Sequence, residues 1–116
     1  MVLAEDEDDL REVLAEVLAE AGMRVIAVRD VASLRTVLAG VTPHVLLTDF
    51  HLGSTTVEDV LSDVVAEARV EHVHVLSASP LARIAAVRLG LPFMSKPFDL
   101  DEFVALACGD SRTTAA

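Results

Sequence analysis

Five residues stand out for the chemistry they could do: the carboxylates of Glu5, Asp6 and Asp49, the hydroxyl of Ser77 and the ammonium of Lys96. Each closes a short apolar run, Val2-Leu3-Ala4, Val45-Leu46-Leu47-Thr48, Val73-His74-Val75-Leu76 and Leu91-Pro92-Phe93-Met94-Ser95. A carboxylate at the end of a buried run costs desolvation energy unless a cation compensates it. Clustered carboxylates also repel until a hard dication neutralises them, and Mg²⁺ suits a few carboxylates with waters and phosphate oxygens. The set therefore points to metal and phosphoryl chemistry. No glycine-rich loop of the Walker type is present, so the ion, the lysine and the hydroxyl would have to hold a phosphoryl group. Lys96 is the only lysine, and a compact ammonium can approach one oxygen where the planar fork of arginine cannot.

The elements that must position these groups follow from periodicity. Strands are predicted at Val2-Leu3-Ala4, Arg24–Val28, His44–Asp49, Val73–Leu76 and Leu91–Ser95, the last at a sheet edge because Pro92 cannot donate to a ladder. Leu10, Val13, Leu14, Val17, Leu18 and Ala21 form one stripe of a helix that starts in acidic residues and stops at Gly22. Asp30 is placed to cap a second helix carrying Val31, Leu34, Val37 and Leu38, and Thr56 a third carrying Val57, Val60, Leu61, Val64, Val65 and Ala68. A fourth helix, Leu81 to Leu89, should turn Ile84 and Val87 inward, and a fifth should begin at Asp99 and end near Ala107. Alternating strands and helices argue an α/β, doubly wound parallel sheet with helices on both faces. Right-handed crossovers then gather the strands' carboxyl ends on one rim, where such sheets bind ligands.

A chain of 116 residues fits one domain, predicted to span 1–108 with a flexible tail at 109–116. Its formal charge of -10 argues against nucleic acid as a partner. No apolar stretch is long enough for a membrane span, the N-terminus lacks a signal-peptide pattern, and the lone Cys108 fits a reducing compartment, so a cytoplasmic location is expected.

Four stretches in order, Val2-Leu3-Ala4-Glu5-Asp6-Glu7, Leu46-Leu47-Thr48-Asp49, Val75-Leu76-Ser77-Ala78 and Lys96-Pro97-Phe98, resemble the receiver domain of two-component response regulators, from Val2 to about Ala107. The resemblance implies a (βα)5 three-layer sandwich of flavodoxin-like strand order 2-1-3-4-5, with a cis Lys96-Pro97 bond. It implies that Asp49 is the phosphoacceptor for a partner histidine kinase or histidine phosphotransfer protein. Mg²⁺ would be held by Asp6, Asp49 and the His51 backbone carbonyl, with Glu5 acting through a water, while Lys96 and Ser77 assist and Ser77 and Phe93 switch. A downstream protein target, or a homodimer, would use the face of the fourth helix, fifth strand and fifth helix. The only catalysis implied is self-phosphorylation and self-dephosphorylation, in a stand-alone protein or in the receiver segment of a hybrid kinase or longer regulator.

Other readings compete. Asp6 beside Asp8 also suits helix capping, and Ser77 ahead of Pro80 suits a turn. Glu5 stands where the family more often has Asp, and the loop from His51 to Thr56 lacks the usual proline and Asp-Gly. A pseudo-receiver, acting as a phosphorylation-independent interaction domain, is therefore the main alternative. A haloacid dehalogenase type of phosphohydrolase is disfavoured because its second aspartate is here His51. His72 and His74 share a strand face but lack further ligands in sequence. Phe93, without a tyrosine hydroxyl, should favour a buried ring.

Overall fold

The computed structural model describes the backbone of residues 1–115 and the side chains of residues 1–108. The elements are β1 (Val2–Ala4), α1 (Asp8–Glu20), β2 (Ile26–Val28), α2 (Val31–Gly40), β3 (Val45–Asp49), β4 (His51–Leu52), β5 (Thr55–Thr56), α3 (Glu58–Glu67), β6 (His72–Ser77), α4 (Pro80–Leu89), β7 (Phe93–Ser95) and α5 (Leu100–Ala115). The main sheet runs β2-β1-β3-β6-β7 with every pair parallel. With the β4-β5 hairpin set aside, this is the expected order 2-1-3-4-5.

Strand alternation divides the core in two. Val2, Ala4, Leu46, Val73 and Val75 pack with Leu34, Leu38, Leu61 and Ala85 of α2, α3 and α4. Leu3, Val45, Leu47 and Leu76 pack with Leu14, Leu18, Phe103 and Ala107 of α1 and α5. All of β3 is buried, as befits a strand covered on both faces. Asp30 caps α2 through a 2.7 Å bond from the Ser33 N–H, and Asp99 accepts from the Asp101 N–H at 2.7 Å at the start of α5.

Several expectations are corrected. Thr56 does not cap α3; the N-cap position is the buried Val57, because Thr56 pairs with His51 in the hairpin, whose turn uses Gly53 at φ +67. Ile84 and Val87 do not face inward: α4 buries Ala82, Ala85 and Ala86 and leaves Leu81, Ile84 and Val87 68%, 53% and 72% exposed. Apolar residues surround so much of this helix that the 3.6-residue period does not select a face. The edge strands β2 and β7 are shorter than expected. The backbone of α5 continues to Ala115 rather than ending near Ala107. The expected flexibility of 109–116 falls outside the residues whose side chains are described. Among the described residues no helix is long and apolar enough to cross a membrane.

This packing sets a contrast for urea denaturation. Phe103→Ala, at a fully buried ring, should lose about 3–5 kcal/mol. Val87→Ser on α4 should change stability by less than about 0.5 kcal/mol; a loss comparable to that of Phe103→Ala would place Val87 in the core.

Candidate functional site

Strand register assembles the carboxyl rim. Ala4 pairs with Thr48, Asp49 with Leu76, and Ser77 with Ser95, so the residues closing these strands emerge side by side. Two backbone bonds carry the ladder one residue further and fix the flanking groups: Glu5 N–H to Val28 O at 3.0 Å and Lys96 N–H to Ser77 O at 3.0 Å. The Lys96-Pro97 bond is cis.

At the centre of the rim, Lys96 Nζ donates to Glu5 Oε1 at 2.5 Å and to Asp49 Oδ2 at 2.9 Å. Both carboxylates are buried. Glu5 Oε2 accepts from the Glu7 N–H at 3.1 Å, and Asp49 Oδ1 from the His51 N–H at 3.4 Å. Asp6 is exposed and accepts from the Gly53 N–H at 2.9 Å. Carboxylate oxygens of Glu5, Asp6 and Asp49 lie within 4.8 Å of one another. The structure thus brings four of the predicted site residues into one cluster. Ser77 is buried on the same rim, with its Oγ accepting from the Ser79 N–H at 3.0 Å. The Phe93 ring is half-buried and lies 5.2 Å from the Arg83 guanidinium, which also donates to Ser95 Oγ at 3.1 Å.

The electrostatics follow from this sharing. Burial pushes the Glu5 carboxyl above its ordinary range, and the bonds from Lys96 and the Glu7 N–H only partly offset it. Burial alone would lower the Lys96 ammonium, but its bonds to Glu5 and Asp49 outweigh that and raise it. One cation facing two anions is held charged, while each anion has only a share of one cation. Asp6, little buried, is held below the usual carboxylate range: its desolvation, the largest single influence, is outweighed by the bond from Gly53 together with its interactions with Glu5, its own backbone and Lys96. Three carboxylates against one ammonium leave oxygen donors that match a hard dication.

Sequence reasoning missed several contributors. Arg11, outside the apolar stripe of α1, donates to the Glu5 carbonyl at 3.0 Å and to Asp8 at 2.6 Å, tying α1 to the rim. Gly53 supplies the N–H that seats Asp6, and its place in a turn was the available signal. Arg83 over Phe93 joins α4 to β7, which no local pattern shows. Beside Lys96 a groove of about 570 Å³, lined by Leu10, Val13, Ala78, Pro97, Phe98 and Leu100, opens between the start of α1 and the start of α5.

No protein-family model matches the chain. It is 27% identical over 109 residues to the regulatory protein VirG of Agrobacterium tumefaciens (strain 15955), a match covering 90% of this chain and 40% of VirG. The chain therefore spans well under half the length of that relative. The receiver domain of the Francisella response regulator 1452 superposes with a TM-score of 0.86 at 18% identity, covering 97% of this chain and 96% of that one. A response regulator protein from Burkholderia pseudomallei, solved with a phosphorylated aspartic acid and a calcium ion, superposes with a TM-score of 0.79 at 19% identity, covering 98% and 69%. Together with the rim geometry, these likenesses identify the fold as that of the receiver domains of response regulators.

Proposed function

We propose that the chain is a phosphoacceptor receiver domain in which Asp49 takes a phosphoryl group from a phosphohistidine on a histidine kinase or histidine phosphotransfer protein. The observation that carries this reading is the bond from the sole lysine to Asp49 beside two further carboxylates. An Asp49 oxygen attacks phosphorus as the P–N bond breaks, and the electron pair returns to the imidazole nitrogen. In such a loose transition state the protein mainly positions reactants and neutralises the equatorial oxygens, for which the Lys96 ammonium is placed. Asp6, Asp49 and the His51 carbonyl would hold Mg²⁺, with Glu5 reached through a water. Bound there, the ion supplies charge neutralisation for the incoming phosphoryl group.

Ser77 completes the switch by exchanging its bond from the Ser79 N–H for one to a phosphoryl oxygen, which draws its loop inward. Phe93, held by Arg83 of α4, transmits that movement to the face of α4, β7 and α5, where Leu81, Ile84 and Val87 lie exposed. That face would bind a downstream target or a second copy of the chain. The protein acts in the cytoplasm, with no catalysis beyond its own phosphorylation and dephosphorylation, and engages neither nucleic acid nor membrane.

One observation favours the pseudo-receiver reading. The longer Glu5 side chain bonds Lys96 directly, so the acidic cluster is already partly neutralised from within. Mg²⁺ binding separates the two.

Incubation with a small phosphodonor and Mg²⁺ should add about 80 daltons by intact mass, with no adduct in Asp49→Ala; an adduct that survives this substitution overturns the assignment. Millimolar Mg²⁺ should raise the melting temperature, and Asp6→Asn should abolish the rise; an equal rise in the variant would move the ion elsewhere. The raised Glu5 pKa gives a pH signature. Its folded value exceeds its unfolded value, so its contribution is most favourable below the unfolded value and is lost as pH rises through the folded one. Glu5→Gln should therefore gain stability relative to the parent across that window when unfolding is followed by urea; a constant difference contradicts the assignment.

A further inference from the structure

We propose that His44, Glu71 and His72 form a transition-metal site of the Zn²⁺ type at the amino-end rim of the sheet, opposite Asp49. Alternation along β6 pairs His72 with His74, but the fold pairs it with His44 instead. His44 immediately precedes β3 and His72 opens β6, and the His72 N–H donates to the His44 carbonyl at 3.1 Å. The two rings meet edge to face at 5.1 Å. The β3-β6 ladder thus places the imidazoles side by side without relying on a loop.

Glu71 supplies the third donor. One of its oxygens lies 3.0 Å from His44 Nδ1 and the other 3.8 Å from His72 Nε2, so the carboxylate faces both rings. A donor atom from each residue falls within 4.8 Å of the others. Tetrahedral Zn²⁺ needs its ligand atoms about 3.4 Å apart, and the Glu71 side chain, 57% exposed, is free to close the difference. His72 Nε2 is buried with no hydrogen-bond partner. An unbonded buried nitrogen is costly, and a metal is a partner that would satisfy it. Two imidazoles and a carboxylate select a borderline transition ion over Mg²⁺ or Ca²⁺ and leave a coordination position for water.

The site is separated from Asp49 by the length of β3, about 13 Å. A metal there would clamp the amino ends of β3 and β6, two of the three interior strands, and make the stability of the fold responsive to free Zn²⁺. The assignment does not rest on phosphorylation at Asp49.

Zn²⁺ binding by calorimetry, in excess Mg²⁺ so that any oxygen-donor site is competed, provides the test. The full chain should bind one Zn²⁺ with micromolar affinity. Loss of even an outer-sphere partner weakens metal sites by about 10–100-fold, so His44→Gln, His72→Gln and Glu71→Gln should each lose at least about tenfold. Substitution of Co²⁺ should give a visible absorption band that disappears in both histidine variants. All three side chains reach solvent, and circular dichroism verifies their folding. Absence of Zn²⁺ binding by the parent chain, or unchanged binding in the folded variants, would overturn the proposal and leave Glu71 as a hydrogen-bond acceptor for His44 alone.

Discussion

The Lys96 ammonium sits between the carboxylates of Glu5 and Asp49 at the point where three strands of a parallel sheet end. Removing the Lys96 charge would leave two carboxylates uncompensated in a site largely shielded from water, a costly state. The interaction therefore constrains the surrounding structure. β1 and β3 must pair in register to bring Glu5 beside Asp49. The end of β7 must reach back to Ser77 to deliver Lys96 over both. Arg11 and Gly53, holding the Glu5 carbonyl and the Asp6 carboxylate, keep α1 and the hairpin close to that centre.

The same arrangement leaves the rim poised electrostatically. Hydrogen bonds and one ammonium offset part of the repulsion among Glu5, Asp6 and Asp49, and the remaining negative charge is a standing preference for a cation. Glu5, with its extra methylene relative to Asp, reaches Lys96 while remaining almost wholly buried. Around this rigid centre the elements are less tightly tied. β7 is a three-residue edge strand, and α4 rests on the sheet through alanines. Small side chains make shallow interdigitation, so a helix seated on them can shift at lower cost than one anchored by leucines. The contact between Arg83 and Phe93 joins these two elements to each other as well as to the rim.

Much of the architecture was legible in the chain because its central strands are continuous apolar runs ending in chemically distinctive residues. Asp49 after Val45-Leu46-Leu47-Thr48 is the clearest case, and Glu5, Asp6 and Lys96 join it in space as their positions at strand ends require. Legibility failed where local pattern was ambiguous. In α4 two apolar stripes competed, and the choice of the alanine face came from the space above β6 and β7. Thr56 carried a capping signal that the β4-β5 pairing overrode. The contacts of Arg11 with Glu5, and of His44 with His72, join residues from different elements, and nothing in either local segment announces them.

The proposed phosphoacceptor role requires Asp49 and its neighbours to accept a phosphoryl-like group. Fluorine NMR of the protein with beryllofluoride addresses this without depending on the lifetime of an acyl phosphate. Bound fluoride resonances should appear that require Mg²⁺ and are absent in Asp49→Ala. An absence of bound resonances at saturating Mg²⁺, or their persistence in that variant, would contradict that role.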